Sequence, residues 1–241
     1  MILKDLYIFI KDKLLLNKHA SILMYHSISD NSEFFSVSPV EFEWQMRYLL
    51  EHNYSIISLD KLVNFIEKRM KIPRRTVVLT FDDGYEDNYY SAFSILKKFN
   101  FPATIFLTTG RIGDKEYTNK RGVQMPMLDW EQVREMYDLG LVDFEPHTVS
   151  HSRLSQIPPG QVVREIENSK LEIEKRLSKT CQFFCLPYGD YNEKVINIIR
   201  KFFSSCFTVE RGFVSYSDNP FLLKRNSVDS TVSRIRFILR V

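Results

Sequence analysis

The 241-residue chain contains little glycine, proline or cysteine. Its eight glycines and nine prolines are scattered, so no linker rich in these residues separates two domains. The three cysteines, Cys181, Cys185 and Cys206, form no even set for disulfides and lack the paired spacing of a zinc-thiolate site. We therefore expect a single domain over residues 1–241, with buried free thiols in a reducing compartment.

Neither positive nor negative charge predominates, since the formal net charge is only +3, and lysine and arginine are spread along the chain. A nucleic-acid-binding domain usually carries a basic tract or a basic face. We predict no nucleic-acid partner.

No long hydrophobic run opens the chain, because charged residues interrupt residues 1–16. This excludes a signal peptide or a membrane span there, and it predicts a protein of the cytoplasm or of the cytoplasmic membrane face. Ile2, Leu6, Ile10 and Leu14 recur at helical spacing, so residues 1–18 are predicted to form an amphipathic helix. We favour packing of this helix on its own domain. The alternative is peripheral membrane contact, helped by Lys4, Lys11, Lys13 and Lys18.

The remainder alternates short apolar runs with amphipathic helical patterns. Strands are predicted at residues 22–25, 55–57, 77–81, 103–107, 141–144, 182–186, 206–209 and 222–224, with helices between most of them. Alternation of this kind predicts an α/β fold with a parallel sheet, and about seven or eight units favour a sheet closed into a barrel.

Two groups of metal-ligand residues follow apolar runs. Asp82 and Asp83 come directly after one run, and His147 and His151, four residues apart, come after another. A carboxylate with two imidazoles is a ligand set for zinc or a similar divalent ion, with one position left for water. Taken singly, the aspartates could form a turn or a helix cap, and the histidines could lie on one surface of a helix.

Polar residues also follow other predicted strands. His26 directly follows the first strand, and Pro187, Tyr188 and Gly189 follow the strand at 182–186. In a β/α barrel the carboxyl ends of the strands meet on the face that carries the active site. We expect these groups to lie together there.

These segments resemble the polysaccharide deacetylases of carbohydrate esterase family 4. The segments that carry the resemblance are residues 25–28, 37–46, 79–85, 102–107, 128–130, 147–151 and 187–189. The resemblance covers most of the chain and implies a distorted (β/α)7 barrel, the NodB homology domain. It implies that Asp83, His147 and His151 bind the metal, that Asp82 is the general base, and that the backbone N–H of Tyr188, after Pro187, donates to the oxyanion. Zinc is the expected metal, with Co²⁺, Ni²⁺ and Fe²⁺ as alternatives.

The chain departs from the usual pattern in two places. First, it has no histidine after His151 to act as general acid. Circularly permuted family members, which resemble poly-N-acetylglucosamine deacetylases, have this histidine in an N-terminal Tyr-His motif. His26 fits that position and is the expected general acid. Second, Cys185 stands where the family usually has an arginine that orients the catalytic aspartate. Arg225 is our candidate replacement, and a structural salt bridge is the alternative. Trp130 is a candidate substrate-groove residue or a core residue.

The predicted function is therefore metal-dependent hydrolysis of the N-acetyl group of an amino sugar, in a glycan or a glycan precursor. The absence of an export signal favours a lipid-linked or nucleotide-linked sugar. Two alternatives remain open: a non-catalytic metal-containing barrel that binds sugars, favoured by Cys185, and an amidase or deformylase acting on a non-polymeric or lipid-linked substrate.

Overall fold

The computed structural model describes residues 19–31 and 33–241. The predicted helix over residues 1–18 lies outside this part of the chain. Within it, every helix is too short or too polar to cross a membrane. The strands are β1 (His19–Tyr25), β2 (Ser27–Ile28), β3 (Ser36–Val37), β4 (Ser55–Ile56), β5 (Thr76–Asp83), β6 (Ala103–Leu107), β7 (Val142–Pro146), β8 (Phe183–Cys185), β9 (Ser205–Phe207), β10 (Val214–Ser215) and β11 (Asn226–Ser227).

The α-helices are α1 (Pro39–Glu51), α2 (Leu59–Glu67), α3 (Ser94–Phe99), α4 (Trp130–Asp138), α5 (Pro159–Leu177), α6 (Glu193–Ile199) and α7 (Arg234–Ile238). A π-helical segment (Asn88–Phe93) precedes α3. Helix α1 begins with Ser38 as N-cap and Pro39 in the first turn.

The main sheet is parallel except at one edge. Its order is β10-β1-β5-β6-β7, with β11 also pairing with β1 and β4 with β5, and only β10 runs antiparallel. The predicted α/β fold with a parallel sheet is confirmed. Because the strands are parallel, their carboxyl ends lie at one edge, which is where Tyr25, Asp83 and Pro146 end β1, β5 and β7.

Strands β8 and β9 form a separate parallel pair. A closed ladder is not present among residues 19–31 and 33–241, so the barrel remains a prediction. The break lies between β7 and β8, where side chains replace backbone pairing. There the Glu145 carboxylate accepts the backbone N–H groups of Gln182 and Phe183, both at 3.0 Å, and it also binds Lys179.

The prediction of a strand at residues 222–224 is wrong. Leu223 makes only a single bridge with Phe207 of β9, and two residues after Lys224 the chain pairs with β1 as β11. The segment pairs with β9 at only one residue because the chain crosses there from the β8-β9 pair to the main sheet, so no strand forms. This crossing places Arg225 between the two sheets.

Both faces of the main sheet are buried, as expected for parallel strands. One apolar cluster joins the sheet to the helices. A second collects Ile22, Val78 and Phe106 from the main sheet with Phe183 and Phe207 from the β8-β9 pair. The two sheets therefore share one apolar interior.

Candidate active site

Asp83, His147 and His151 converge at the carboxyl edge of the main sheet. Asp83 Oδ1 lies 3.2 Å from His151 Nε2 and 3.9 Å from His147 Nε2, and one ligand atom from each residue lies within 4.8 Å of the others. Asp83 ends β5, and His147 follows β7 directly. The three residues that the sequence assigned to a metal are thus brought together.

The donor atoms fit a cation. Asp83 Oδ1 is buried and, among the described residues, has no hydrogen-bond partner, although two imidazole nitrogens face it. Burial is the main cause that lowers the pKa of His147 and lowers that of His151 to about 4, so both rings are neutral at neutral pH. Neutral imidazoles and an unsatisfied buried carboxylate oxygen are the groups that a divalent metal binds.

A backbone carbonyl fixes the orientation of His147. Its Nδ1 lies 2.8 Å from the carbonyl oxygen of Cys185 in β8. A carbonyl can only accept, so Nδ1 carries the proton and Nε2 keeps its lone pair toward Asp83. This is the usual outer support of a metal-binding histidine, and here it also crosses the gap between β7 and β8.

Asp83 and His151, two of the three candidate ligands, have strained backbone conformations, and none of the three lies on a helix. Nine non-glycine residues in the described part of the chain have positive φ, and Asp83 (73°), Thr148 (68°) and His151 (60°) are among them. Left-handed conformations are costly for non-glycine residues, above all for a β-branched one such as Thr148, and they concentrate at functional sites. The two histidines therefore meet through a loop, and the alternative of one helical surface is wrong.

Glu165 of α5 holds this loop. One carboxylate oxygen accepts the backbone N–H groups of Val149 and Ser150, each at 2.9 Å, and the other accepts the Ser150 hydroxyl at 2.6 Å. Glu165 belongs to none of the sequence motifs described above. Its signal is the apolar stripe of α5, because Glu165 is buried in line with Val162, Ile166 and Ser169.

Arg225 and Asp82 form a second unit beside the ligands. The Nη1 and Nη2 atoms of Arg225 each donate to a different oxygen of Asp82, both at 2.7 Å, and Nε donates to the Thr208 carbonyl at 3.0 Å. Burial raises the pKa of Asp82, but the charge and hydrogen bonds of Arg225 outweigh it and hold that pKa well below its usual value. Asp82 is therefore ionised at neutral pH.

Cys185 completes this unit. Its sulfur accepts from Arg225 Nη2 at 2.9 Å and lies 3.6 Å from Asp82 Oδ2. Burial raises the pKa of Cys185 well above its usual value, so the thiol keeps its proton and donates it to Asp82. Asp82, His147 and Cys185 also lie close enough to suggest a second metal site. The guanidinium already binds both oxygens of Asp82, which leaves no place for a cation there.

His26 lies at the same edge, between β1 and β2. Its backbone carbonyl accepts from Asn88 Nδ2 at 2.8 Å, and its ring lies 5.7 Å from that of Phe35. Electrostatic interaction with His26 is among the smaller causes that lower the pKa of Asp82 and of Asp83, after burial, which raises both, and after the interactions with other groups. Asp87, which the sequence analysis missed, supports this corner by accepting the Ser27 hydroxyl and the Ile28 N–H.

Pro187 and Tyr188 form a short turn after β8. Tyr188 is left-handed, with φ of 59°, and its ring lies 4.5 Å from that of His151. Trp130 is not brought to this cluster. It packs against the core beside α5, with the Arg176 guanidinium 5.2 Å from its ring, and this favours the core alternative.

Comparison with known proteins agrees with this geometry. The sequence model of the polysaccharide deacetylase family matches residues 69–203, more than half of the chain. The chain belongs to the polysaccharide deacetylase family. The predicted family is confirmed, and with it the predicted class of activity, metal-dependent hydrolysis of an N-acetyl group on a carbohydrate.

Individual family members are similar over most of the chain. The Bacillus subtilis protein YxkH, named as a polysaccharide deacetylase, is 31% identical over 217 residues, which is 90% of this chain and 74% of that protein. A Staphylococcus aureus poly-β-1,6-N-acetyl-D-glucosamine N-deacetylase is 28% identical over 214 residues, 85% of this chain and 72% of that one.

Solved structures show the same fold. The Streptococcus pyogenes deacetylase PplD, in complex with acetate, superposes with a TM-score of 0.81 at 26% identity, covering 93% of this chain and 98% of that one. IcaB from Ammonifex degensii gives a TM-score of 0.79 at 26% identity, covering 88% and 93%.

Proposed function

We propose that this site hydrolyses the N-acetyl group of an N-acetylglucosamine-containing glycan or glycan precursor and releases acetate. One observation carries the assignment of roles: the adjacent residues Asp82 and Asp83 belong to different units. Asp83 faces two imidazoles, whereas Asp82 is held by a guanidinium. A metal site next to a separate, oriented carboxylate is what hydrolysis of an amide requires.

Asp83, His147 and His151 would hold the metal. One carboxylate and two imidazoles suit zinc first, and then Co²⁺, Ni²⁺ or Fe²⁺. When bound, the ion supplies Lewis-acid chemistry, lowering the pKa of a water molecule and polarising the acetamide carbonyl.

Asp82 acts as general base toward that water. The bidentate contact with Arg225 weakens Asp82 as a base, since it lowers the pKa, but it keeps the carboxylate ionised and fixes its direction. Arg225 thus takes over the role of the arginine that Cys185 replaces. Cys185 therefore no longer favours the alternative of a non-catalytic barrel that binds sugars.

His26 protonates the departing amine, and the backbone N–H of Tyr188 donates to the oxyanion. The support for His26 is its place at the end of β1, at the same edge as β5 and β7, within electrostatic reach of both aspartates. The support for Tyr188 is the turn that Pro187 begins, which brings its ring against the metal ligand His151.

We also propose that the two sheets together form the distorted (β/α)7 barrel of the family. The shared apolar interior and the bridge between Leu223 and Phe207 support this arrangement.

The test is acetate release from N-acetylglucosamine oligomers and lipid-linked N-acetylglucosamine. Metal-loaded protein is compared with chelated protein and with chelated protein resupplied with zinc, and Asp82→Asn is the control. We expect release that chelation removes, that zinc restores, and that falls about 10²- to 10⁴-fold in Asp82→Asn. Metal-loaded protein that released no acetate from any of these substrates would contradict the proposal.

A further inference from the structure

Two arginines flank the metal-ligand cluster. Arg111 ends a short 3₁₀ helix (Thr109–Arg111), and Arg153 lies two residues after His151. Each guanidinium lies over a tyrosine ring: Arg111 is 4.6 Å from the Tyr117 centroid and Arg153 is 4.1 Å from that of Tyr188. Within residues 19–31 and 33–241, neither arginine forms an ion pair.

The backbone fixes Arg111 beside the ligands. The N–H groups of Thr109 and Gly110 donate to the carbonyls of Thr148 and Val149, at 3.1 and 2.8 Å, in the loop between the two histidines. Only glycine allows this approach, because a Cβ at position 110 would lie 2.6 Å from the Val149 oxygen.

Arg153 contacts the metal-ligand cluster indirectly, because it stacks on Tyr188, whose ring lies against His151. The Tyr188 ring lies 4.5 Å from the His151 ring and carries the Arg153 guanidinium at 4.1 Å. Tyr188 is 44% exposed, so this stack is open to solvent. A tyrosine beside a sugar site normally offers a ring face for stacking, but here a guanidinium covers one face of Tyr188 and one of Tyr117.

Apart from Asp83, which faces the two imidazoles, the nearby carboxylates already have partners. Asp190 accepts both the backbone N–H and the hydroxyl of Ser155, Glu165 holds the histidine loop, and Asp82 binds Arg225. The groups left for a ligand at this rim are therefore two guanidinium groups, which bind planar or tetrahedral anions through paired hydrogen bonds.

We propose that Arg111 and Arg153 bind an anionic group, a phosphate or a carboxylate, that the substrate carries next to its acetamido sugar. The inference rests on the proposed function and narrows its substrate class from neutral glycans to anionic ones.

The first test compares kcat/KM for acetate release from three substrates: the methyl glycoside of N-acetylglucosamine, the methyl phosphodiester of N-acetylglucosamine 1-phosphate, and the methyl glycoside of N-acetylmuramic acid. The variants are Arg111→Gln, Arg153→Gln and both together. The control is Arg200→Gln, which also removes an arginine over an aromatic ring, 4.2 Å from Phe221.

Loss of a charged hydrogen-bonding group predicts a fall of about 10- to 100-fold in the double variant on an anionic substrate, with the neutral glycoside within about twofold of wild type. The substrate with the larger fall identifies the anion as phosphate or carboxylate. Equal values for neutral and anionic substrates, unchanged in the variants, would overturn the inference and leave the deacetylase function standing.

A second measurement separates the two proposals. Calorimetry on chelated wild-type protein, which has no metal to attract an anion, should detect binding of the phosphodiester or of N-acetylmuramic acid methyl glycoside, weakened at least tenfold in the double variant. If wild type hydrolyses neither these substrates nor the oligomers and the lipid-linked sugar, the proposed function fails, and this binding still decides the inference: absence of binding overturns it.

Discussion

The site has two halves that are built in different ways. The proposed metal half, Asp83, His147 and His151, comes from strand β5 and from the loop that follows β7, in one continuous sheet. The proposed base half, Asp82 with Arg225 and Cys185, joins residues 143 and 103 positions apart across two sheets. Strand pairing within one sheet fixes the first half, whereas side-chain contacts between the sheets fix the second. A supporting group in the second half can therefore be supplied from another segment, as Arg225 does here.

Removal of a metal ligand should have the largest effect. His147→Ala also loses the contact with the Cys185 carbonyl, so we expect no retained metal and no acetate release. Metal content of the purified protein and acetate release measure this. The matched control is His52→Ala, at an exposed histidine that binds the backbone of Tyr48. A His147→Ala protein with one equivalent of metal would show that the metal half is wrongly assigned.

Arg225→Ala should damage the base half and spare the metal half. It leaves the ionised Asp82 buried without its cation, which costs about 3–5 kcal/mol of the free energy of unfolding. Denaturant unfolding measures this loss, and metal content should stay at the wild-type value if the variant folds.

A double variant keeps this prediction testable if the single variant does not fold. Asp82→Asn with Arg225→Ala removes the charge that was left unpaired and should recover part of the lost stability. A single variant as stable as wild type would contradict the account of the pair.

Glu165→Gln should have the smallest effect, on metal affinity alone. An amide has one acceptor oxygen where the carboxylate has two, so either the two contacts to the Val149 and Ser150 N–H groups or the one to the Ser150 hydroxyl is lost, and the histidine loop loosens. We expect a 10- to 100-fold weaker metal affinity, roughly what outer supports of metal ligands contribute. Metal titration with a competing chelator measures it. Glu167→Gln, at an exposed position of the same helix, should change nothing.

The contrast between the halves also explains what the sequence could predict. The ligands are recognisable because each follows an apolar strand in a short motif, and parallel strands bring such motifs to one edge. Arg225 was predicted from the same rule. The strand predicted before it is absent, but the segment still makes a bridge to β9 at Leu223, and this bridge keeps Arg225 near the position that the rule predicts. Its bidentate geometry depends on the meeting of two sheets, which no local pattern encodes.

Other features could not be predicted because they depend on tertiary packing. The break between β7 and β8 arises where Glu145 takes the N–H groups that a neighbouring strand would pair. Glu165 lies in a helix rich in exposed charged residues, but it is itself buried against the histidine loop. In both cases a buried carboxylate accepts hydrogen bonds from backbone N–H groups, in the place of a backbone carbonyl.

The most direct test is to exchange the two adjacent aspartates for asparagine separately and to measure bound metal and acetate release in each variant. The account predicts that Asp82→Asn keeps one equivalent of metal and loses turnover, whereas Asp83→Asn loses the metal. Loss of metal in Asp82→Asn together with its retention in Asp83→Asn would contradict the division of the site into a metal half and a base half.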